Sequence, residues 1–330
     1  MKRSYVFIGA GGVGGYYGMA LARAGHPVAW LVRSGAAGIR RRGFEVETRG
    51  TTWRLDSPAV FDDPRELPAA DVVAVTIKTT GNDGLLRILP AILRKPGVPL
   101  VMMQNGLGPE ETAAAAAPGH PIFGGLCFLC SIRLAPGRIR HLDYGKVTFA
   151  AHDPTGRPAG LPAAMRGIAE DFAATGIETE LLPDLVEARW RKLMWNIPFS
   201  GLCVVLDTDT RTLVQTPATR TLAADLMSEV RAGARALGRD IPPSFADHMF
   251  ELTDRMTPYA PSMKLDHEAG RPMEIEAIYE RPAAVARAAG TPMSRVETLA
   301  RMLRFLEGRL PAPRGSARSA ASEDEDPPGT

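Results

Sequence analysis

The sequence predicts an α/β fold in two parts, a sheet domain wound with helices over residues 1–182 and an all-helical domain over residues 183–310. Three observations carry this expectation. A glycine-rich turn joins an apolar run to a helix-forming run at Tyr5–Gly18, strand-like runs alternate with helical ones as far as Leu182, and from Pro183 onward almost only helical patterning appears. With 330 residues, 45% of them apolar, the chain is long enough for two cores.

YVFI at Tyr5–Ile8 reads as a buried parallel strand, and the run that includes Tyr17–Ala24 reads as a helix. Gly9, Ala10, Gly11, Gly12, Val13 and Gly14 lie between them. In such a corner one glycine makes the tight turn, a second lets the backbone approach a pyrophosphate, and a third lets the helix pack against the strand, with the helix N-terminus facing the phosphates. The flanking strand and helix favour a Rossmann-type dinucleotide site over a plain glycine turn. VAWLV at Val28–Val32 is the second strand, and Arg33 stands at its end. About 20 residues beyond the glycines an NAD site usually carries an acid. An arginine fork pairs with a 2′-phosphate that a carboxylate repels, so NADP is the expected cofactor.

Between Gly43 and Val60, short alternating segments around Arg49-Gly50 suggest a hairpin or meander. Asp71–Ile77 is a buried strand ending at Lys78, Asn82–Leu93 a helix, and Pro99–Met103 a strand ending at Gln104-Asn105-Gly106. Lys78 and Asn105 thus stand at the C-terminal edge of the sheet, where open parallel sheets bind ligands. From Pro121 to Ala151, PIFGGLCFLCSIRL, RIRHLD and KVTFA read as successive strands separated by Pro136-Gly137 and Tyr144-Gly145. Cys127 and Cys130 form a CxxC inside this region. On a strand, residues three apart point to opposite faces, and no second Cys or His pair completes a ligand set, so both read as core residues and no metal is expected. A helix at Pro162–Thr175 and a strand at Thr179–Leu182 complete the first domain.

Asp184 and Glu187 have capping-box spacing and open a helix that Pro198 should kink or end. Lys192 and Asn196, four apart, share one face of it. Thr216-Pro217 opens a long helix to Leu237, followed by helices at Pro242–Asp254, Pro272–Ala289 and Thr291–Glu307. Residues 311–330, polar and proline-rich, are expected to be a disordered tail.

A formal charge of +2 without a basic stripe argues against nucleic acid as a partner. No apolar run reaches the ~18 residues of a membrane span, and the N-terminus lacks a secretory pattern, so a cytoplasmic location is expected. Three cysteines exclude a disulfide framework. The helical domain serves equally as a monomer's second core or as the face of a homodimer.

In order along the chain, GAGGVGGYYG at Gly9–Gly18, Lys78-Thr79, QNG at Gln104–Gly106, W-R-K-L-x-x-N at Trp190–Asn196, SMKLD at Ser262–Asp266 and G-R-P-M-E-I-E at Gly270–Glu276 form a set that resembles the ketopantoate reductase family. The resemblance covers nearly everything before residue 308. It implies a Rossmann-type domain, a helical domain and a cleft between them in which NADPH reduces 2-dehydropantoate to (R)-pantoate, on the route to pantothenate. It also implies catalytic roles for Lys192 and Glu274, with Glu274 holding the Lys192 ammonium, and substrate contacts from Asn105, Asn196 and Ser262. The cofactor contacts it implies are Gly9–Gly14, Arg33, Lys78 and Asn105.

The sequence departs from the family pattern at Ser200 and Tyr259, where asparagines are common, and in EIEAIYE at Glu274–Glu280, which lacks the usual asparagine and glycine. A site that loses hydrogen-bond partners discriminates less well between oxo acids. A different 2-oxo or 3-oxo acid is therefore the alternative substrate. A non-catalytic NADP-binding redox sensor is the alternative of another class, and it gives no reason for Lys192, Asn196, Ser262 and Glu274.

Overall fold

β1 (Tyr5–Ile8) is buried at all four residues and pairs in parallel with β2 (Val28–Leu31) on one side and β6 (Val72–Val75) on the other. A strand buried on both faces needs a continuous apolar run, which YVFI, VAWL and VVAV supply. The computed structural model describes residues 1–310, and the segment expected to form a disordered tail lies outside the described residues. Within them, β3 (Phe44–Thr48), β4 (Thr51–Leu55), β5 (Ala59–Phe61), β7 (Leu100–Met102), β8 (Ile122–Ala135), β9 (Arg138–Ala151) and β10 (Thr179–Leu182) complete one sheet. Its order is β4-β3-β9-β8-β7-β6-β1-β2-β5, with β10 parallel to β9. Because the chain runs from β1 to β2 on one side and later to β6 on the other, the switch in direction falls at the C-terminal ends of β1 and β6. That is where such sheets open a binding crevice.

Five helices cover the sheet: α1 (Gly12–Arg23), α2 (Ala36–Arg42), α3 (Asn82–Ile92), α4 (Pro109–Ala116) and α5 (Ala163–Ala173). The remainder is α6 (Leu185–Trp195), α7 (Gly201–Val205), α8 (Thr210–Gln215), α9 (Pro217–Ala236), α10 (Ser244–Arg255), α11 (Ser262–Glu268), α12 (Arg281–Ala288) and α13 (Ser294–Glu307). The Asp184 side chain accepts from Glu187 N and starts α6 as the sequence predicts.

One expectation needs correction and another is narrowed. RIRHLD and KVTFA are one fourteen-residue strand, β9, because its irregularity at Tyr144 (φ 58°) and Gly145 (φ 133°) is taken up as a bulge in the pairing with β8 rather than as a turn. At Pro198, expected to kink or end the lysine helix, the helix is distorted but does not stop. The backbone widens into a π-helical turn over Asn196–Ser200 and continues into α7, which accommodates a residue that cannot donate an intrahelical bond.

β8 and β9 form a ribbon that serves two cores. Cys127 and Leu129 pack against the sheet-side core with Phe149, while Cys130, Phe128, Ile132, Leu142 and Tyr144 belong with the helical core around Trp190 and Phe199. The two cysteine side chains therefore diverge, as strand alternation requires.

Candidate active site

The glycines at the end of β1 have distinct tasks. Gly9 takes φ 109°, a conformation that side chains disfavour. A Cβ on Gly14 would stand 2.2 Å from the Gly9 carbonyl oxygen and 2.3 Å from Thr76 Oγ1, so only glycine lets α1 start this close to β1. Thr76 Oγ1 lies 3.0 Å from both the Ile8 and Gly9 carbonyls and ties β6 to the same turn. A Cβ on Gly11 would meet nothing within 4 Å. The turn is open at that point, and the first N–H groups of the twelve-residue α1 have no side-chain cap. These features fit a dinucleotide pyrophosphate. Further along, the Trp30 indole donates to the Gly14 carbonyl at 2.9 Å and lies against Gly18, which locks the helix on the sheet. Arg33 follows β2, exposed, and makes no ion pair among the described residues.

At the end of β6 Lys78 turns toward the helical half. Its Nζ is 2.7 Å from Asp266 Oδ2 and 3.5 Å from Glu274 Oε2. Burial works against the ammonium, but the two carboxylates outweigh it, and the Lys78 pKa stands above the ordinary lysine value. Glu274 Oε1 accepts from the Thr79 backbone N at 2.9 Å and from Thr79 Oγ1 at 3.0 Å. Glu274 thus bonds across the cleft to the end of β6. The expectation that it holds the Lys192 ammonium does not describe this arrangement, in which Lys78 is its cationic neighbour.

At the end of β7 the Gln104–Gly108 loop meets the same helical segment. Leu107 N donates to the Ala277 carbonyl at 2.8 Å, and Gly106, at φ 84°, passes so close that a Cβ would sit 2.4 Å from that oxygen. Asn105, partly exposed, stands at this junction. Arg189 of α6 secures the loop from beneath. It is 3% exposed, pairs with Glu110, which is 2% exposed, and also donates to the carbonyls of Gln104 and Met102. The sequence reading passed over this pair because Glu110 resembles a first-turn carboxylate and Arg189 a solvated helix residue. The available signal was the position of Arg189, which shares a helix face with Leu185 and Leu193.

One turn beyond Arg189, the Lys192 Nζ donates to the Cys127 carbonyl at 2.5 Å and lies 5.0 Å from the centre of the Phe128 ring. Burial lowers the Lys192 pKa to about 8. The cation–π contact and one carbonyl leave it without a carboxylate partner among the described residues. Asn196, on the same face, is 5% exposed, and its side-chain Oδ1 is buried with no partner among the described residues. Ser262 opens α11, and four residues on Asp266 faces Lys78.

An open mixed sheet with a parallel centre and a glycine turn at its switch point, joined to a helical half that holds a lysine of lowered pKa, has the build of a dinucleotide-dependent oxidoreductase. Comparison with known proteins agrees. The family model described as "Ketopantoate reductase PanE/ApbA" matches residues 5–154, and the model described as "Ketopantoate reductase PanE/ApbA C terminal" matches residues 184–307. The chain belongs to the ketopantoate reductase family. The curated 2-dehydropantoate 2-reductase of Nostoc sp. is 42% identical over 308 residues, spanning 93% of this chain and 96% of its own length. The crystal structure of 2-dehydropantoate 2-reductase from Geobacter metallireducens matches with a TM-score of 0.84 at 35% identity, over 91% of this chain and 99% of that one. D-mandelate dehydrogenase in a ternary structure with NADH and anilino(oxo)acetate has a TM-score of 0.83 at 19% identity, over 93% of this chain and 99% of its own, a likeness of fold alone. No helix among the described residues is long and apolar enough to cross a membrane.

Proposed function

We propose that the protein reduces a 2-oxo acid with NADPH, and that the substrate is 2-dehydropantoate, reduced to (R)-pantoate for pantothenate synthesis in the cytoplasm. The observation that carries this reading is Lys192, a half-buried ammonium with a pKa lowered to about 8, beside an Asn196 oxygen without a partner among the described residues. A dinucleotide held there would supply a hydride to the keto carbon. As that carbon is reduced, its oxygen becomes an alkoxide that needs a proton or a positive charge at once. Lys192 Nζ gives the proton, and its enclosure between a carbonyl and an aromatic ring makes it a readier acid than a solvated lysine.

Gly9, Ala10, Gly11, Gly12, Val13 and Gly14 would hold the pyrophosphate at the N-terminus of α1. Arg33 would read the 2′-phosphate, since its guanidinium makes no ion pair among the described residues. A fold that takes NADH in D-mandelate dehydrogenase does not by itself choose the nucleotide, so this assignment rests on Arg33. Lys78 offers a positive charge at the switch point, and Asp266 and Glu274 keep it protonated and aimed into the cleft. Asn105, Asn196 and Ser262 orient the substrate. Asn196 Oδ1 is an acceptor for the substrate hydroxyl. Glu274 contributes by fastening the end of β6 to the helical half, which sets the width of the cleft.

A panel of 2-oxo and 3-oxo acids assayed with NADPH and NADH tests the reading. The expected result is the highest kcat/KM for 2-dehydropantoate with NADPH. A better rate with another oxo acid replaces the substrate, and tight NADPH binding without turnover on any acid replaces the reaction with redox sensing.

A further inference from the structure

Two π-helical turns meet in the helical half. One, Asn196–Ser200, directly follows the helix that carries Lys192, and the other, Glu276–Glu280, begins two residues after Glu274. Single π turns inside helices recur at functional sites because they shift the following residues around the helix axis. The first contains Pro198, which has no N–H to give the carbonyl four residues before it. From the second turn comes Tyr279, fully buried, at a position where the family pattern carries an asparagine. Its hydroxyl donates to the Ile197 carbonyl at 3.0 Å and lies 3.4 Å from that of Asn196.

The tyrosine fits because residue 201 is glycine. A Cβ there would stand 2.7 Å from Tyr279 Oη and 2.8 Å from Leu299 Cδ2. A bulky, buried hydrogen-bond donor has thus been placed where the widened backbone needs one, and a small residue makes room for it. Lys192 precedes the clamped turn, Asn196 begins it and Ser200 ends it.

We propose that Tyr279 is a positioning residue, whose hydroxyl clamps the Asn196–Ser200 turn and so sets how Asn196 and Ser200 meet the oxo acid beside Lys192. The kinetic part rests on the oxo-acid reading above. Burial raises the Tyr279 pKa well above that of a free phenol, so it remains a donor across the working range.

The test is Tyr279→Phe in the full chain, with Val296→Ala, a fully buried truncation in the same core, as comparator. Deuterium exchange over 196–205, Tm and steady-state kinetics are read for both. Loss of one buried hydrogen bond corresponds to about tenfold. In Tyr279→Phe, exchange over 196–205 should rise about tenfold and kcat/KM for the oxo acid should fall about tenfold, while KM for NADPH holds within about twofold. Val296→Ala should lower Tm without either change. Wild-type exchange and kinetics in Tyr279→Phe overturn the proposal, and so does a comparator that reproduces its losses. If Tyr279→Phe does not fold, Gly201→Ala, which displaces the hydroxyl from Ile197, should give the same two shifts, and its failure to do so is equally decisive. If the wild-type chain reduces no oxo acid, the functional reading falls, while the exchange difference still decides whether Tyr279 clamps the turn.

Discussion

Lys192 offers the sharpest quantitative test of the proposed chemistry. With a pKa of about 8, it is protonated over neutral by roughly ten to one at pH 7, so nearly every molecule carries the proton to be given. Above pH 8 the protonated fraction falls about tenfold per unit, and kcat should fall with it. Removing the side chain in Lys192→Ala takes away both the proton and the charge facing the alkoxide. A positioned general acid is worth about 10² to 10⁴ in rate, so a loss near 10³, about 4 kcal/mol in the barrier, is expected. Lys192→Arg should retain part of the charge stabilisation but lose the descending limb near pH 8, because a guanidinium does not release its proton there. The assay is NADPH consumption against pH at saturating oxo acid, with circular dichroism to confirm folding. A descending limb at pH 10 or above, or a Lys192→Ala enzyme within about tenfold of wild type, would refute the assignment of Lys192 as the acid.

The same lysine makes a prediction about stability. Because its folded pKa lies below the unfolded value of 10.5, the unfolded chain binds more protons between about pH 8 and 10.5, and the cost of burying the charge is fully present below pH 8. Lys192→Met should therefore be more stable than wild type at pH 7, by a margin that narrows as pH rises through that window, as read from urea midpoints. Arg33→Ala should raise KM for NADPH by about 10 to 100-fold, the worth of a charge-assisted pair, and leave KM for NADH nearly unchanged; equal effects on both would remove Arg33 from the 2′-phosphate. Arg189→Met strands Glu110 as an unpaired buried carboxylate, so about 3 to 5 kcal/mol of stability should be lost, and Arg189→Met with Glu110→Leu should recover most of it.

Much of the sheet was legible because its signals are local. The glycine turn and the four-residue runs of β1 and β6 declare themselves through apolar continuity and bounding turn residues. Arg33 and Lys78 were placed correctly at strand ends for the same reason. What the residues did not disclose depends on partners far away in the chain. Proline normally stops a helix, and only the opposing π turn with Tyr279, some eighty residues later, shows how Pro198 is accommodated within one. Glu274 looked like the anchor of Lys192, whereas its bonds go to Thr79, a choice made by the approach of the two halves and not by any spacing. Tyr144-Gly145 has turn chemistry in isolation, yet twelve residue pairs with β8 carry the strand through it.

The β8–β9 ribbon bears on how the protein melts. Its apolar side chains are divided between the two interiors, so neither half can lose its packing without stripping cover from residues the other needs. Cutting the chain after β10 would leave Phe128, Ile132 and Leu142 exposed on one fragment and a hole in the other. Unfolding should accordingly follow one thermodynamically cooperative transition, with a single calorimetric peak, even though the chain carries two architectures in tandem.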